Sequence, residues 1–543
     1  MADRGDMVDR LGRHVRARMA TTRTPGVAIA LFDRQEVSRL LAYGDADVVA
    51  GIPLDADRPF AIGSITKSFT AVAVLQAAER GLVDLHAPVT EYLPWFRVRS
   101  RYSPITLHHL LTHSAGLVTI IDGPPDTRNA VWALRETEAA WPPGAHFYYS
   151  DAGYQALGLV LEAAVGRPFG DIIQDGILGP LGMTASEPTL THALRPRMAT
   201  GYRHLYDDRP SHVTHPLVPA PCIETNSGDC CIGSTAGDMA KYGRMLLNEG
   251  RTSSGPLLSP DAFGLLAHPH SSPGWCEYGY GIELHQRDGF MHLGHGGVMP
   301  GYEAMLLLDR DSGLGVTLLS TQPSVGARDL AWAVMRLWRN GSSGRSLDAV
   351  DLSVPDATHV ENASDYAGAY HGDGADLVFA AEGGHLVLLH KGERVILERR
   401  EVDRFYASHP DFGLFLLGFE RAETRGTSSG AVVGAHHGAV CYTREGCAAA
   451  GESQHPPTWQ AYPGHYRAHT PWEQSNFRVI LRGGTLLLVW PTGEEESLTA
   501  VSGEAFRVGD AVSPERLAFS RIVRGQASCA RLSGMDYYRF FTP

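Results

Sequence analysis

The 543-residue chain is too long for a single hydrophobic core, so two to four domains are expected. Its 43% hydrophobic and 20% charged residues fit a soluble globular protein, and a net charge of −13 argues against nucleic acid or an anionic membrane surface as the main partner. No apolar run is long enough for a transmembrane helix, and seven scattered cysteines without a CxxC pair suit free thiols in a reducing cytosol better than disulfides or a zinc site.

The first residues place Met7, Val8, Leu11, Val15 and Met19 at helical spacing and lack the apolar core of a signal peptide. They are read as an amphipathic helix of a cytoplasmic protein. Next, "GVAIALFDRQEVSRLLAYGDADV" predicts two strands joined by a polar turn. Residues 64 to 80 are apolar on nearly every side, as in a buried helix, and Gly81 is a natural stop. Further on, "YEAMLLLDRDSGLGVTLLST" predicts a hairpin turning at Asp309 to Gly313, and "DLAWAVMRLWRNG" a closing helix. Strands at both ends with helices between them imply an α/β (α+β) domain over 1–341. Its mixed or antiparallel sheet brings the first and last strands together under covering helices.

Residues 342–357 have little to bury and are expected to form a linker. A strand-rich pattern then occurs twice. Tyr366-Ala367-Gly368-Ala369-Tyr370 matches Tyr462-Pro463-Gly464-His465-Tyr466, Phe405 matches Phe506, and Phe419 matches Phe519. Two copies of one antiparallel module, over 358–450 and 451–543, are expected, each with enough strands to close a small barrel. The stretch 424–440 has no counterpart in the second copy and is expected to be a long loop.

The chemistry starts at "GSITKSF". The chain has 47 basic residues but only three lysines, and Lys67 stands three residues after Ser64, on one face of the predicted helix. A serine hydroxyl is a poor nucleophile until a neighbour takes its proton. Arginine stays protonated, whereas a lysine whose pKa falls can accept that proton, and burial at a helix N-terminus disfavours an ammonium. Alone, Ser-x-x-Lys is a weak motif.

Two further stretches follow it in order: Tyr149-Ser150-Asp151 in "HFYYSDAGY" and His295-Gly296-Gly297 in "LGHGGVMPGY". Together with "ITLHHLLTHSAGL", "GSTAGDMAKYGRMLLN" and "YGYGIEL", the region from about residue 10 to 340 resembles the serine β-lactamase and penicillin-binding protein superfamily, especially its class C, D-aminopeptidase and esterase branch. The resemblance implies that Ser64 becomes acylated while Lys67 and Tyr149 move protons. It also implies an oxyanion hole from the N–H groups of Ser64 and Met299 beside Gly296 and Gly297, with His295 lining the opposite wall. No metal or other cofactor is implied.

Two departures bear on the substrate. Asp151 replaces the asparagine that commonly binds a substrate amide; it accepts hydrogen bonds but cannot donate them, and either holds a substrate amine or faces a protonated Lys67. His295 replaces the lysine typical of β-lactamases, which favours peptidase, amidase or esterase chemistry. The resemblance therefore implies a serine hydrolase for D-amino-acid amides, short peptides or small esters. An acyltransferase or peptide cyclase using the same intermediate, or a non-catalytic binding protein, is the alternative. The expected partner is a small molecule or short peptide, with a homodimer left open. His113 is read as structural, and His268, His270, His436 and His437 lack metal-ligand spacing. The tandem modules resemble the two C-terminal barrels of three-domain D-aminopeptidases, in which a C-terminal loop reaches the cleft; 424–440 is the candidate for such a loop.

Overall fold

The computed structural model describes residues 4–121, 126–372, 376–422, 430–448, 454–470, 472, 475–502 and 504–540. Helix α1 (Arg4–Thr22) buries Met7, Leu11 and Val15 at successive turns, each stabilising the fold by on the order of 1.5–3 kcal/mol. It leads into β1 (Gly26–Asp33) and β2 (Val37–Asp47), followed by the helices α2 (Thr66–Glu79), α3 (Asp151–Val165) and α4 (Ala236–Leu247). Strands β3 (Glu283–Arg287), β4 (Phe290–Met299), β5 (Tyr302–Asp309) and β6 (Leu314–Ser320) and helix α5 (Ala327–Ser343) complete the domain.

The sheet order is β3-β4-β5-β6-β1-β2, with the two-residue strands Glu277–Tyr278 and Ile52–Pro53 at its edges, and every pairing is antiparallel. The first and last long strands do meet: Val27 pairs with Ser320 and Asp33 with Leu314. The strand period of two sorts the side chains between two cores. Val27, Ile29, Leu31, Met305, Leu307, Val316 and Leu318 pack with α1 and α5. Ala28, Ala30, Phe32, Leu306 and Leu308 pack on the other face with α2 and α4. The Asp309 carboxylate shapes the β5–β6 turn by accepting from the N–H groups of Asp311 (3.1 Å) and Ser312 (2.9 Å).

Part of the expected linker is structural: Leu347 and Val350 are buried against the α1–α5 layer, because that layer leaves an apolar edge uncovered beyond Ser343. Two closed eight-stranded antiparallel barrels follow, with strands running from Gly368 to Arg444 and from Gly464 to Phe540. The repeated residues do the same work in both. The Tyr370 hydroxyl donates to the Tyr366 carbonyl (2.8 Å), and the Tyr466 hydroxyl to the Tyr462 carbonyl (2.7 Å). Phe405 and Phe419 lie 5.6 Å apart, and Phe506 and Phe519 5.8 Å.

Both barrels bond to the sheet–helix domain. Glu398 of the first meets His212 at 2.7 Å. In the second, Glu515 accepts from the Thr119 N–H (2.7 Å) and Arg467 pairs with Asp207 (2.7 Å). Among the described residues no helix is long and apolar enough to cross a membrane, and no cysteine forms a disulfide.

Candidate active site

Ser64 is the middle residue of a single 3-10 turn, Gly63–Ile65, that runs into α2. Strand β4 passes directly over this turn, and two glycines make room for it. Gly63 has φ +53°, and a Cβ there would sit 2.6 Å from the Val298 carbonyl oxygen. A Cβ at Gly297 would run into the Ile62 carbonyl and lie 3.1 Å from the Ser64 nitrogen. The backbone of the Ser64 turn and that of the end of β4 are thereby brought into close contact beside the serine.

Lys67 is fully buried in the first turn of α2. Its Nζ donates to Ser64 Oγ (2.9 Å) and to the Asp229 carbonyl oxygen (3.2 Å), and it lies 2.5 Å from Asp151 Oδ1. Asp151 opens α3. Ser150 caps that helix by accepting from the Gly153 N–H (3.1 Å), and an acidic first turn suits the helix dipole. Tyr149, just before the cap, places its ring centre 4.9 Å from Lys67 Nζ and 6.3 Å from the His295 ring.

The electrostatics correct one expectation. Burial does push the Lys67 ammonium down, but the Asp151 carboxylate, then Tyr149 and Asp229, more than reverse it, so Lys67 is held above its usual range and charged. Burial lifts the Tyr149 phenol to about 12 despite the pull of Lys67. Asp229, buried and close to the like charge of Asp151, is pushed up as well. Burial also lowers His295, only partly offset by Glu283, and it lowers the fully enclosed His113.

A cleft of about 450 Å³ opens onto these groups. Ser64, Tyr149, Asp151, His295, Gly296, Gly297 and Met299 all line it, and Lys67 lies beneath Ser64. The sequence reading missed Asp229, although it lies just ahead of the quoted "GSTAGDM" stretch, and it missed Trp472. Trp472 comes from the loop after the first strand of the second barrel and packs near Met299 and Cys230 over the cleft. No local signal marks it, since its neighbours here are hundreds of residues away in sequence.

The loop expected over 424–440 is corrected in part. Residues 424–429 lie outside the described residues, while Val432–His437 and Val440–Arg444 are two strands of the first barrel. Their alternation satisfies a barrel wall, and the barrel side chain lining the cleft is Trp472. Among the described residues, one group brings three metal-type ligands together: His390, His409 and Asp411 in the first barrel. There, the Lys391 ammonium already sits 2.7 Å from Asp411 Oδ2.

The Beta-lactamase family model matches residues 11–337. The chain is 29% identical over 317 residues to penicillin-binding protein 4 of Amycolatopsis lactamdurans, covering 54% of this chain and 80% of that one. It is 25% identical over 381 residues to a D-aminopeptidase of Brucella anthropi, covering 66% of each. Among solved structures, the octameric penicillin-binding protein homologue from Pyrococcus abyssi matches with a TM-score of 0.59 at 22% identity, over 80% of this chain and 100% of that one. With the match spanning nearly all of the sheet–helix domain and its serine, lysine and tyrosine gathered at one cleft, this chain belongs to the serine β-lactamase and penicillin-binding protein superfamily, a family of acyl-enzyme hydrolases.

Proposed function

We propose that the protein is a serine hydrolase that forms an acyl-enzyme on Ser64 and acts on D-amino-acid amides, short D-amino-acid peptides or small esters. The observation that carries this reading is the 2.9 Å hydrogen bond from Lys67 Nζ to Ser64 Oγ at the floor of the cleft. The likeness to a D-aminopeptidase over two thirds of the chain supports the substrate class.

The resting charges suggest how protons move. Because Lys67 is an ammonium, it takes the Ser64 proton only while passing one of its own to Asp151, 2.5 Å away. Ser64 Oγ then bonds to the acyl carbon, whose oxygen collects charge against the N–H groups of Ser64 and Met299. Tyr149 protonates the departing amine or alkoxide as the acyl–heteroatom bond breaks, Lys67 reprotonates Tyr149, and Asp151 returns its proton to Lys67. Of the two readings of Asp151, its contact with Lys67 favours the one in which it faces the lysine.

Water resolves the acyl-enzyme in hydrolysis; an amine or alcohol resolves it in acyl transfer. Trp472 lines the cleft, and an indole there that shields the acyl-enzyme from water would favour transfer, the second reading. Treating the protein with a fluorophosphonate or a fluorescent penicillin and measuring intact mass tests the nucleophile. One adduct on the wild type and none on Ser64→Ala supports it; no adduct with either reagent refutes it. A panel of D- and L-amino-acid p-nitroanilides and short esters, with product analysis in added amine, then tests the substrate class and the choice between water and acceptor.

A further inference from the structure

Behind the cleft, four buried groups form one hydrogen-bonded chain. The Ser150 N–H donates to His113 Nδ1 at 3.0 Å. His113 Nε2 is 3.2 Å from the Tyr278 hydroxyl, which is 3.0 Å from His295 Nε2. His295 Nδ1 lies 2.6 Å from the Gly296 carbonyl oxygen. Both ends are backbone groups of fixed polarity, and each sets the proton of the ring beside it.

An N–H can only donate, so His113 Nδ1 carries its lone pair and a neutral His113 has its hydrogen on Nε2. That hydrogen points at Tyr278, which accepts it and has His295 Nε2 within reach of its own hydroxyl proton. A carbonyl can only accept, so His295 carries its hydrogen on Nδ1, leaving Nε2 free to accept from Tyr278. The backbone partner at each end thus sets the tautomer of its ring, while the Tyr278 hydroxyl between them also meets Tyr154, whose own proton goes to the Leu111 carbonyl (2.7 Å). The three side chains are almost wholly buried, so water is not available to replace a lost partner.

The relay also packs around the tyrosine beside Ser64. The His113 ring is tilted against Tyr149 with centres 4.3 Å apart, and its Nδ1 holds the residue that follows Tyr149. The far end fixes Gly296, next to the Gly297 that lies on the Ser64 turn.

We propose that His113 and Tyr278 are positioning residues for the acyl-enzyme chemistry: their hydrogen-bond relay ties the Tyr149 segment to the end of β4 and fixes His295 as the Nδ1–H tautomer. The proposal rests on Ser64 being the nucleophile. His295 then is not a free base, because the nitrogen that could accept a proton already faces the Tyr278 hydroxyl. It acts as the joint through which the two walls of the cleft keep their spacing.

The wild-type protein, labelled with 15N-histidine, tests this by long-range 15N–1H NMR, with His113→Gln and His295→Gln assigning the two rings by difference. His113 is expected as the Nε2–H form and His295 as the Nδ1–H form; the opposite tautomer at either ring overturns the relay. This measurement needs no substrate, so it stands or falls separately from Ser64 labelling. In Tyr278→Phe, the rate of fluorophosphonate labelling at Ser64 should fall by on the order of a hundredfold through misplacement of the two walls. The comparison is Tyr280→Phe, an equally buried tyrosine whose hydroxyl meets His108 (2.8 Å) outside the relay; it should label at the wild-type rate. Equal labelling rates for the two variants would overturn the positioning role, and if Tyr278→Phe fails to fold, the wild-type tautomers decide.

Discussion

Asp151→Asn isolates the charge that keeps Lys67 protonated, since it preserves shape and removes one negative charge 2.5 Å from Nζ. An opposite charge at such range typically raises a lysine by about 1–3 pH units, so its loss lowers Lys67 by a similar amount, about 1.4–4 kcal/mol of differential interaction. Lys67 in the fold lies above its ordinary 10.5, so the stabilisation from this pairing is complete at neutral pH and is lost only as pH rises through the raised value. The variant should therefore melt earlier at pH 7, with the gap from wild type closing in strong base. The chemistry should suffer as well: without the Asp151 carboxylate the Lys67 ammonium has nowhere to pass a proton, so Ser64 becomes reactive only as Lys67 itself deprotonates. Fluorophosphonate labelling rates from pH 5 to 10 measure this, and the variant should label more slowly than wild type at pH 7, its rate rising toward pH 10 as Lys67 deprotonates. Superimposable pH profiles would refute the reasoning. Preference between amine-bearing and N-blocked substrates should stay as in wild type; a marked change would assign Asp151 to the substrate instead.

Three other outcomes can be checked directly. Gly297→Ala drives a methyl into the Ile62 carbonyl, so labelling of Ser64 should be lost and stability should drop by roughly 1–3 kcal/mol as β4 is pushed off the turn; a fully reactive variant of unchanged Tm would contradict the described contact. Trp472→Ala should widen the range of bulky peptides and esters accepted while leaving labelling by a small fluorophosphonate near the wild-type rate, whereas an identical substrate range would remove Trp472 as a restriction. His113 and His295 are buried with pKa values below the ordinary 6.5, so the unfolded chain binds more protons below that pH. Stability is then full above 6.5 and falls by up to about 1.4 kcal/mol per pH unit for each ring below it. Thermal melts from pH 7.5 to 5 should show this decline; a level Tm would argue against neutral buried rings.

The elements with strong periodic patterns were legible: α1 from Met7, Leu11 and Val15, the β5–β6 hairpin from Asp309 to Gly313, and both barrels from the doubled Tyr-x-Gly-x-Tyr stretches. The cleft residues were legible for a different reason, because each sits where a turn or cap forces local chemistry, as Ser64 does on its 3-10 turn and Asp151 after the Ser150 cap. What stayed hidden depends on distance in sequence. The charge on Lys67 follows from two acids, one 84 and one 162 residues further on, and no local rule weighs burial against them. Trp472 and the Tyr278 bridge are products of domain docking and strand placement, and the 432–444 strands look loop-like only because glycines and histidines interrupt their apolar alternation.

The meeting of β1 with β6 has a consequence for how the protein is made. Ile29 faces Leu318, so the centre of the sheet cannot close until roughly 300 residues have left the ribosome, a separation that slows folding. Until then β1, apolar from Val27 to Phe32, has only β2 for company, and an unpaired edge of that kind invites mispairing with other nascent chains. The barrels, whose strands pair mostly with their immediate neighbours, emerge after that domain and need no such wait. Quick-folding modules made later therefore dock onto an early-made domain that is slow to close, and Trp472 can reach the cleft only after both are in place.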